Sequence, residues 1–265
     1  MKKYFVLSDI HSFYKEMDKA LKESGFDIDN REHIIITCGD CFDRGPGSVK
    51  LLNFLTKMIR EERAICIRGN HEWMAMEAID RGYLKSHDFH NGLDQTIKQL
   101  TDSKAIEDDI FYRMRLMKKN SKWNMYLDHL IDYYETDKYI FVHGWIPCDS
   151  EYGGMWFSRP LKYKPDWRDS SPYEFEDASW LNGMEMWKEG IREKDKTIVC
   201  GQYHSSWGHA YLHNDGSEFL EDYNNNNGTA YARHDPFKDE GIIAMDACTA
   251  LSKMVNVLVL NEDEL

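Results

Sequence analysis

The chain has no apolar run approaching the roughly 20 residues that a helix needs to cross a bilayer, so no membrane partner is expected. It is short of cations. Its 33 Lys and Arg face 46 Asp and Glu, and a net charge of −13 speaks against nucleic-acid binding, because attraction to phosphate backbones must come from basic groups. It also lacks the second cysteine pair of a structural zinc site. Cys38 and Cys41 form a lone C-x-x-C, and most of the six cysteines lie in or beside apolar runs, where a free thiol behaves as a small buried hydrophobe. That usage suits a reducing cytoplasm. The opening "MKKYFVLSDIHS" is interrupted by Asp9 and His11 too early for a signal peptide and reads as a first strand.

What is present is an ordinary globular composition, 42% hydrophobic and 30% charged over 265 residues. Strand-length runs bounded by Gly, Asp or Asn occur at 3–8, 33–38, 64–69, 139–144, 197–201, 241–246 and 255–260. Helical spacing fills 13–21, 49–59 and a long stretch from Glu72 to Ile131. The alternation predicts a layered α/β fold with a mixed sheet, since the last strands follow each other too closely for crossover helices. We expect a single domain over 1–265, with an aromatic-rich insertion at about 145–190 and a loop insertion at about 213–240 that contains "NNNNG". Aromatic rings in the first insertion, Trp145, Trp156, Trp167, Trp180 and Trp187, read as core filling before they read as a base-stacking platform. His209, His213 and His234 read as surface or loop histidines.

The polar residues concentrate where strands end. Strand one runs into "SDIHS", strand two into "GDCFDRG", strand three into "RGNHE" and strand four into "VHGW". In open α/β sheets ligands gather beyond the carboxyl ends of strands. Here that edge would carry Asp9, His11, Asp40, Asp43, Arg44, Arg68, Asn70, His71 and His143. Any one of these could be a turn or capping residue. Crowded together without a lysine, carboxylates and imidazoles demand compensation, which divalent metals supply. The ligands are too many for one tetrahedral ion and suit two, with one carboxylate between them. The two arginines would clamp phosphate oxygens, and the chemistry implied is phosphoester hydrolysis by a metal-bound hydroxide, with His71 as general acid oriented by Asp43.

"GDCFDRG" followed by "RGNHE" resembles the signature of the PPP phosphoprotein phosphatases, within the calcineurin-like metallophosphoesterases that also include symmetrical dinucleoside tetraphosphatases. The resemblance implies a central β-sandwich of mixed sheets flanked by helices. It implies two divalent ions, manganese first and iron, zinc, magnesium or nickel as other candidates. By it, Asp9 and His11 bind one metal, Asp40 bridges, and Asn70 and His143 bind the second. His71 and Asp43 resemble the acid pair, Arg44 and Arg68 the phosphate clamps, and Arg159 a further arginine of bacterial members. The chain departs from the pattern twice. "SDIHS" stands for "GDxHG", and "GQYH" (201–204) for "GHT" or "GHxH", so that His204 is the expected ligand and Gln202 the substitution. A phosphatase of phosphomonoesters, phosphoserine or phosphothreonine in proteins or a small phosphoester, is the reading that follows. Its alternatives are a symmetrical dinucleoside tetraphosphate hydrolase and an inactive phosphatase-fold binding protein.

Overall fold

Alternate residues along the apolar runs face different cores, and this decides the architecture. The computed structural model describes residues 1–101, 109–150, 160–216 and 232–265. Its strands are β1 (Lys3–Leu7), β2 (His33–Cys38), β3 (Ala64–Ile67), β4 (Leu130–Ile131), β5 (Tyr134–Glu135), β6 (Tyr139–Phe141), β7 (Cys148–Ser150), β8 (Leu161–Tyr163), β9 (Thr197–Cys200), β10 (Phe237–Asp239), β11 (Ile242–Ala244) and β12 (Leu258–Asn261). They form two five-stranded sheets, ordered β12-β1-β2-β3-β4 and β10-β11-β9-β6-β5, and a β7-β8 ribbon. Strands β1 to β4 are parallel to one another, as are β6, β9 and β11, while β12, β10 and β5 pair antiparallel. Both sheets are therefore mixed.

Tyr4, Val6, Ile34, Ile36 and Ile67 of the first sheet meet Phe141 and Val199 of the second in one shared core. Their neighbours Phe5, Leu7 and Ile35 face a helical layer on one outside, and Ile140, Val142, Ile198 and Cys200 face the other. The central strands carry near-continuous apolar runs, not an alternation, because both faces are covered. The fold is a β-sandwich flanked by helices. Cys38 points into the shared core and Cys41 into the outer one, and burial pushes both thiols well up, so the two side chains lack the exposure and thiolate character of a reactive pair.

The first helical layer holds α1 (Tyr14–Glu23), α2 (Ser48–Arg60), α3 (Asn70–Arg81), α4 (Ser86–His90), α5 (Leu93–Leu100), α6 (Ile110–Met117) and α7 (Ser121–Asp128). Among its described residues, the helically spaced stretch 72–131 thus divides into five helices and ends as β4. Gly82 and Gly92, at φ 82° and 86°, turn the chain, and the Asp109 and Asn120 side chains cap new starts by accepting from Phe111 N–H and from Lys122 and Trp123 N–H.

The second layer holds α8 (Pro172–Ala178), α9 (Gly183–Lys188) and α10 (Ser205–Tyr211), while the short α11 (Thr249–Ser252) lies beside Arg44 and the α4–α5 turn. Trp145 and Trp167, 2% and 0% exposed, fill the core beneath it with Phe175, so neither ring is available for stacking a base. Trp156 and Arg159 lie outside the described residues, as does 217–231 of the expected loop insertion. His209, expected at the surface, is buried on α10 against Phe237, with Nε2 3.0 Å from the Asp235 carbonyl. Short helix α10 packs onto β10, and its Trp207 joins the same outer core. No helix among the described residues is long and apolar enough to cross a membrane.

Arg168 fastens the aromatic segment to the sandwich. Its Nε and Nη2 donate to Glu135 at 2.8 and 2.6 Å, and Lys196 donates to the same carboxylate at 2.8 Å. The Arg168 hydrogen bond is the main cause that holds Glu135's carboxyl at about 2. A depressed carboxyl stabilises the fold above its ordinary value near 4.5 and loses that contribution as pH falls toward 2. Glu135→Gln should therefore cost about 1 kcal/mol at pH 7, a figure reduced for partial exposure, and make the pH 5 to 2 limb of urea stability shallower than in the natural chain.

Candidate metal centre

Six parallel strands set a polar side chain just past their carboxyl ends. Asp9 follows β1, Asp40 β2, His143 β6, Gln202 β9 and Asp246 β11, each two residues beyond the strand, and Asn70 follows β3 by three. The sheets lie face to face, so these ends share one rim. Asp9, His11, Asp40, Asp43, Arg44 and Gln202 all have φ between 47° and 71°, the left-handed region that non-glycine residues avoid. Strain of this kind persists only where surrounding bonds over-determine it, and it gathers at functional sites. The turns also approach each other closely. A Cβ on Gly39 would lie 2.5 Å from His143 Nδ1, and one on Gly69 would lie 2.3 Å from Asp40 Oδ1.

Asp40 is the centre of the arrangement. Its Oδ1 is 3.2 Å from His143 Nε2, and its Oδ2 lies 3.8 and 3.7 Å from His11 and His71 Nε2. Two groups of donors share it, His11 with His71 and Asp9 with His143, each within 4.8 Å. The expected grouping had put Asp9 with His11. Ser8 Oγ at 2.5 Å and Gln202 N–H at 3.1 Å instead hold the Asp9 carboxylate toward β9. The rings are fixed from behind: His11 Nδ1 lies 3.0 Å from the Phe42 carbonyl and His143 Nδ1 2.7 Å from that of Cys38, which leaves both Nε2 atoms facing Asp40.

The field at this point favours added positive charge. Burial, then the Asp246 charge, raises the Asp9 carboxyl. Burial alone would raise Asp40 too, but the surrounding histidines, His143 first, hold it below the usual carboxylate range. Burial would lower His143, yet the Asp40 carboxylate pushes it up to about 10. His11 is lowered, by burial and then by Arg44. A rim that draws a proton onto a buried imidazole will draw a cation for the same reason.

The oxygens point the same way. Asn70 Oδ1 and Gln202 Oε1 lie 2.9 and 2.8 Å from His143 Nε2, and the Asn70 amide atom is 3.1 Å from both Asp40 oxygens and 2.7 Å from Gln202 Oε1. As placed, Asn70 Oδ1 lies against the Asp40 and Gln202 oxygens, which have no proton to give it, and hydrogen bonding alone is satisfied only if the Asn70 amide turns its NH2 inward. A divalent cation satisfies the oxygens as they stand, so the donor set fits one.

Beside the donors, His71 Nδ1 is 2.7 Å from Asp43 Oδ2, and Thr96 Oγ1 donates to Asp43 Oδ1 at 2.7 Å while accepting from Asp43 N–H at 2.9 Å. Arg44 reaches the centre, its Nη atoms 3.3 and 3.4 Å from His11 and His71 Nε2. Arg68 does not join this network. It pairs with Asp132 at 2.8 Å and stacks on Trp73 with its guanidinium 4.3 Å from the ring. His204 also stands outside both donor groups. Its Nδ1 lies 2.9 Å from Ser206 Oγ.

Two residues had no role in the sequence reading. Glu72, buried at 1% exposure, accepts from the N–H groups of Asp40, Cys41 and Gly69 and from the Tyr126 hydroxyl, all at 2.9 Å. It ties the turn after β2 to the start of α3, and its signal was an acid at the third position of a helix that follows a glycine. Asp246 obeys the same strand-end rule as the others and could have been found by it.

The family profile described as calcineurin-like phosphoesterase matches residues 2–232. Serine/threonine-protein phosphatase 1 of Salmonella typhimurium is 36% identical over 74 residues, 28% of this chain and 32% of its own. The asymmetrical bis(5'-nucleosyl)-tetraphosphatase of Bacillus subtilis is 30% identical over 74 residues, 26% and 30% respectively. The matched segments thus span about a third of these relatives. Among solved structures, the cold-active protein-tyrosine phosphatase of a psychrophilic Shewanella aligns with 99% of this chain and 76% of its own at 15% identity, with a TM-score of 0.54, a likeness of fold.

Glu72→Gln puts an NH2 against backbone donors. We expect it to lower unfolding free energy by about 2 kcal/mol, whereas Tyr126→Phe, which leaves the carboxylate three N–H partners, should cost about 1 kcal/mol. Urea denaturation of both variants checks the order.

Proposed function

The chain belongs to the calcineurin-like phosphoesterase family, and from that premise we propose that it hydrolyses phosphomonoesters, phosphoserine and phosphothreonine in proteins among them. The observation that carries this reading is the His71–Asp43–Thr96 chain of hydrogen bonds set against the shared Asp40 carboxylate. Asp9, His11, Asp40, Asn70 and His143 would hold two divalent cations, and the mixture of oxygen and imidazole donors suits manganese. Such ions supply an acidified water and screen the charge of the phosphoryl group. Asp43 keeps the His71 ring turned so that Nε2 faces the centre, and a proton carried there passes to the departing alkoxide. Arg44 binds the phosphate oxygens through its guanidinium fork. Arg68, held by Asp132, supports the turn, and it serves as a clamp only if substrate draws it from that pair. Protein substrates are favoured over dinucleotides because two of the five tryptophans, Trp145 and Trp167, are spent on the core, and the acidic Asp166, Asp169, Glu174, Glu176 and Asp177 of the same segment disfavour a highly anionic substrate. None of the six cysteines forms a disulfide, which suits the cytoplasmic location we propose.

The test is a substrate panel with manganese present: a phosphoserine peptide, p-nitrophenyl phosphate and diadenosine tetraphosphate. Fastest turnover of the peptide is expected, with loss on chelation and recovery on adding manganese. Faster cleavage of the tetraphosphate overturns the substrate assignment, and absence of turnover on all three identifies a binding protein.

His71→Asn should lower kcat about 10²–10⁴-fold, the usual worth of an acid catalyst, with metal content by elemental analysis unchanged. A parallel loss of metal would make His71 a ligand instead, as its place in a donor group with His11 and Asp40 would allow.

A further inference from the structure

Where the resembling families carry a histidine after the glycine of this strand end, the chain carries Gln202, and its side chain does not leave the site. Gln202 Oε1 is 2.8 Å from His143 Nε2 and 2.7 Å from the inward atom of the Asn70 amide. Its backbone N–H donates to Asp9 Oδ2, and its φ of 64° holds the turn so that both contacts are made at once. The left-handed backbone at this position is therefore over-determined, and the half-buried side chain is turned toward Asn70 and His143. Around it stand Asn70 Oδ1 and Asp40 Oδ1, so three oxygens and one imidazole nitrogen converge.

We propose that Gln202 is itself a donor of the subsite formed with Asn70, His143 and Asp40, and that it makes that subsite selective for a hard cation, manganese or magnesium, over zinc. The inference rests on the two-cation reading of the preceding subsection and deepens it. A second imidazole here would give two nitrogen donors and favour zinc, which stands above manganese in intrinsic affinity for nitrogen ligands. An amide oxygen leaves one nitrogen among four donors, a set closer to that of manganese and magnesium. The amide is also neutral, so the subsite holds its ion less tightly than a carboxylate in the same place would.

The metal-stripped chain titrated with manganese, followed by the electron paramagnetic resonance of the free ion, and competed with zinc, followed by elemental analysis, reads this without reference to turnover. Two sites are expected. Gln202→Ala should weaken manganese about tenfold or more at one of them and leave the other unchanged. Gln202→Glu, nearly the same shape with a charge added, should tighten that same site. Gln202→His should shift its preference toward zinc by tenfold or more. The opposed directions of the Ala and Glu variants distinguish loss of a donor from a general disturbance of folding, which would weaken both. Manganese binding that is unchanged in Gln202→Ala, or a manganese-to-zinc preference unmoved in Gln202→His, overturns the proposal while leaving the phosphatase reading intact. Failure of the natural chain to bind either ion overturns both.

Discussion

One buried carboxylate organises this protein. Asp40 is 2% exposed, at the edge of a sandwich, with three imidazoles within 4 Å of it and the Asp9 carboxylate nearby. A charge in that position is costly unless it is compensated, and the compensation has to come from elements far apart in the chain. The parallel strands supply it. Because β1, β2 and β3 in one sheet and β6, β9 and β11 in the other end at the same rim, six segments spread over some 240 residues each deliver one polar group to a common point. The apolar runs that make the three cores thus also fix where the charges lie.

The rim is held by hydrogen bonds to main chain more than by side-chain packing. Glu72 gathers the N–H groups of three residues from two turns, and the carbonyls of Phe42 and Cys38 fix the two rings. Such bonds can keep six residues in left-handed backbone conformations that would otherwise relax. They also leave the donor atoms pre-set, so that little reorganisation remains when a cation or a phosphate arrives.

The sequence disclosed what is local. The runs 3–8, 33–38, 64–69 and 139–144 hold strands because their apolar content is dense and their ends are marked by Gly, Asp or Asn, and the strand ends locate Asp9, Asp40, Asn70 and His143 by spacing alone. It did not disclose what depends on a distant partner. Arg44 and Arg68 look alike in the sequence, yet Asp132, 64 residues away, takes Arg68 out of the donor network while Arg44 remains in it. Glu72 looks like a helix-start acid until its bonds to Asp40 and Cys41 are seen. Spacing within "GQYH" favoured His204, but the turn at Gln202 points the nearer side chain inward and sends His204 to the start of α10.

The turn after β9 does more than carry a side chain. Gly201 lies so close to β1 that a Cβ there would meet Ser8 Oγ and Asp9 Oδ2 at 1.9 and 2.1 Å, and the next N–H bonds across to Asp9. This joins the two sheets at their reactive end, whereas Gly25 and Gly190, in turns leading into the opposite ends of β2 and β9, have open space around them. The sheets are tied at the far end as well, where Lys138 N–H and Nζ donate to the Leu265 and Asp263 carbonyls at 3.0 and 2.9 Å. The two ends differ in clearance: a Cβ at Gly25 or Gly190 meets no neighbouring atom, while a single added methyl at Gly201 forces the turn after β9 away from β1.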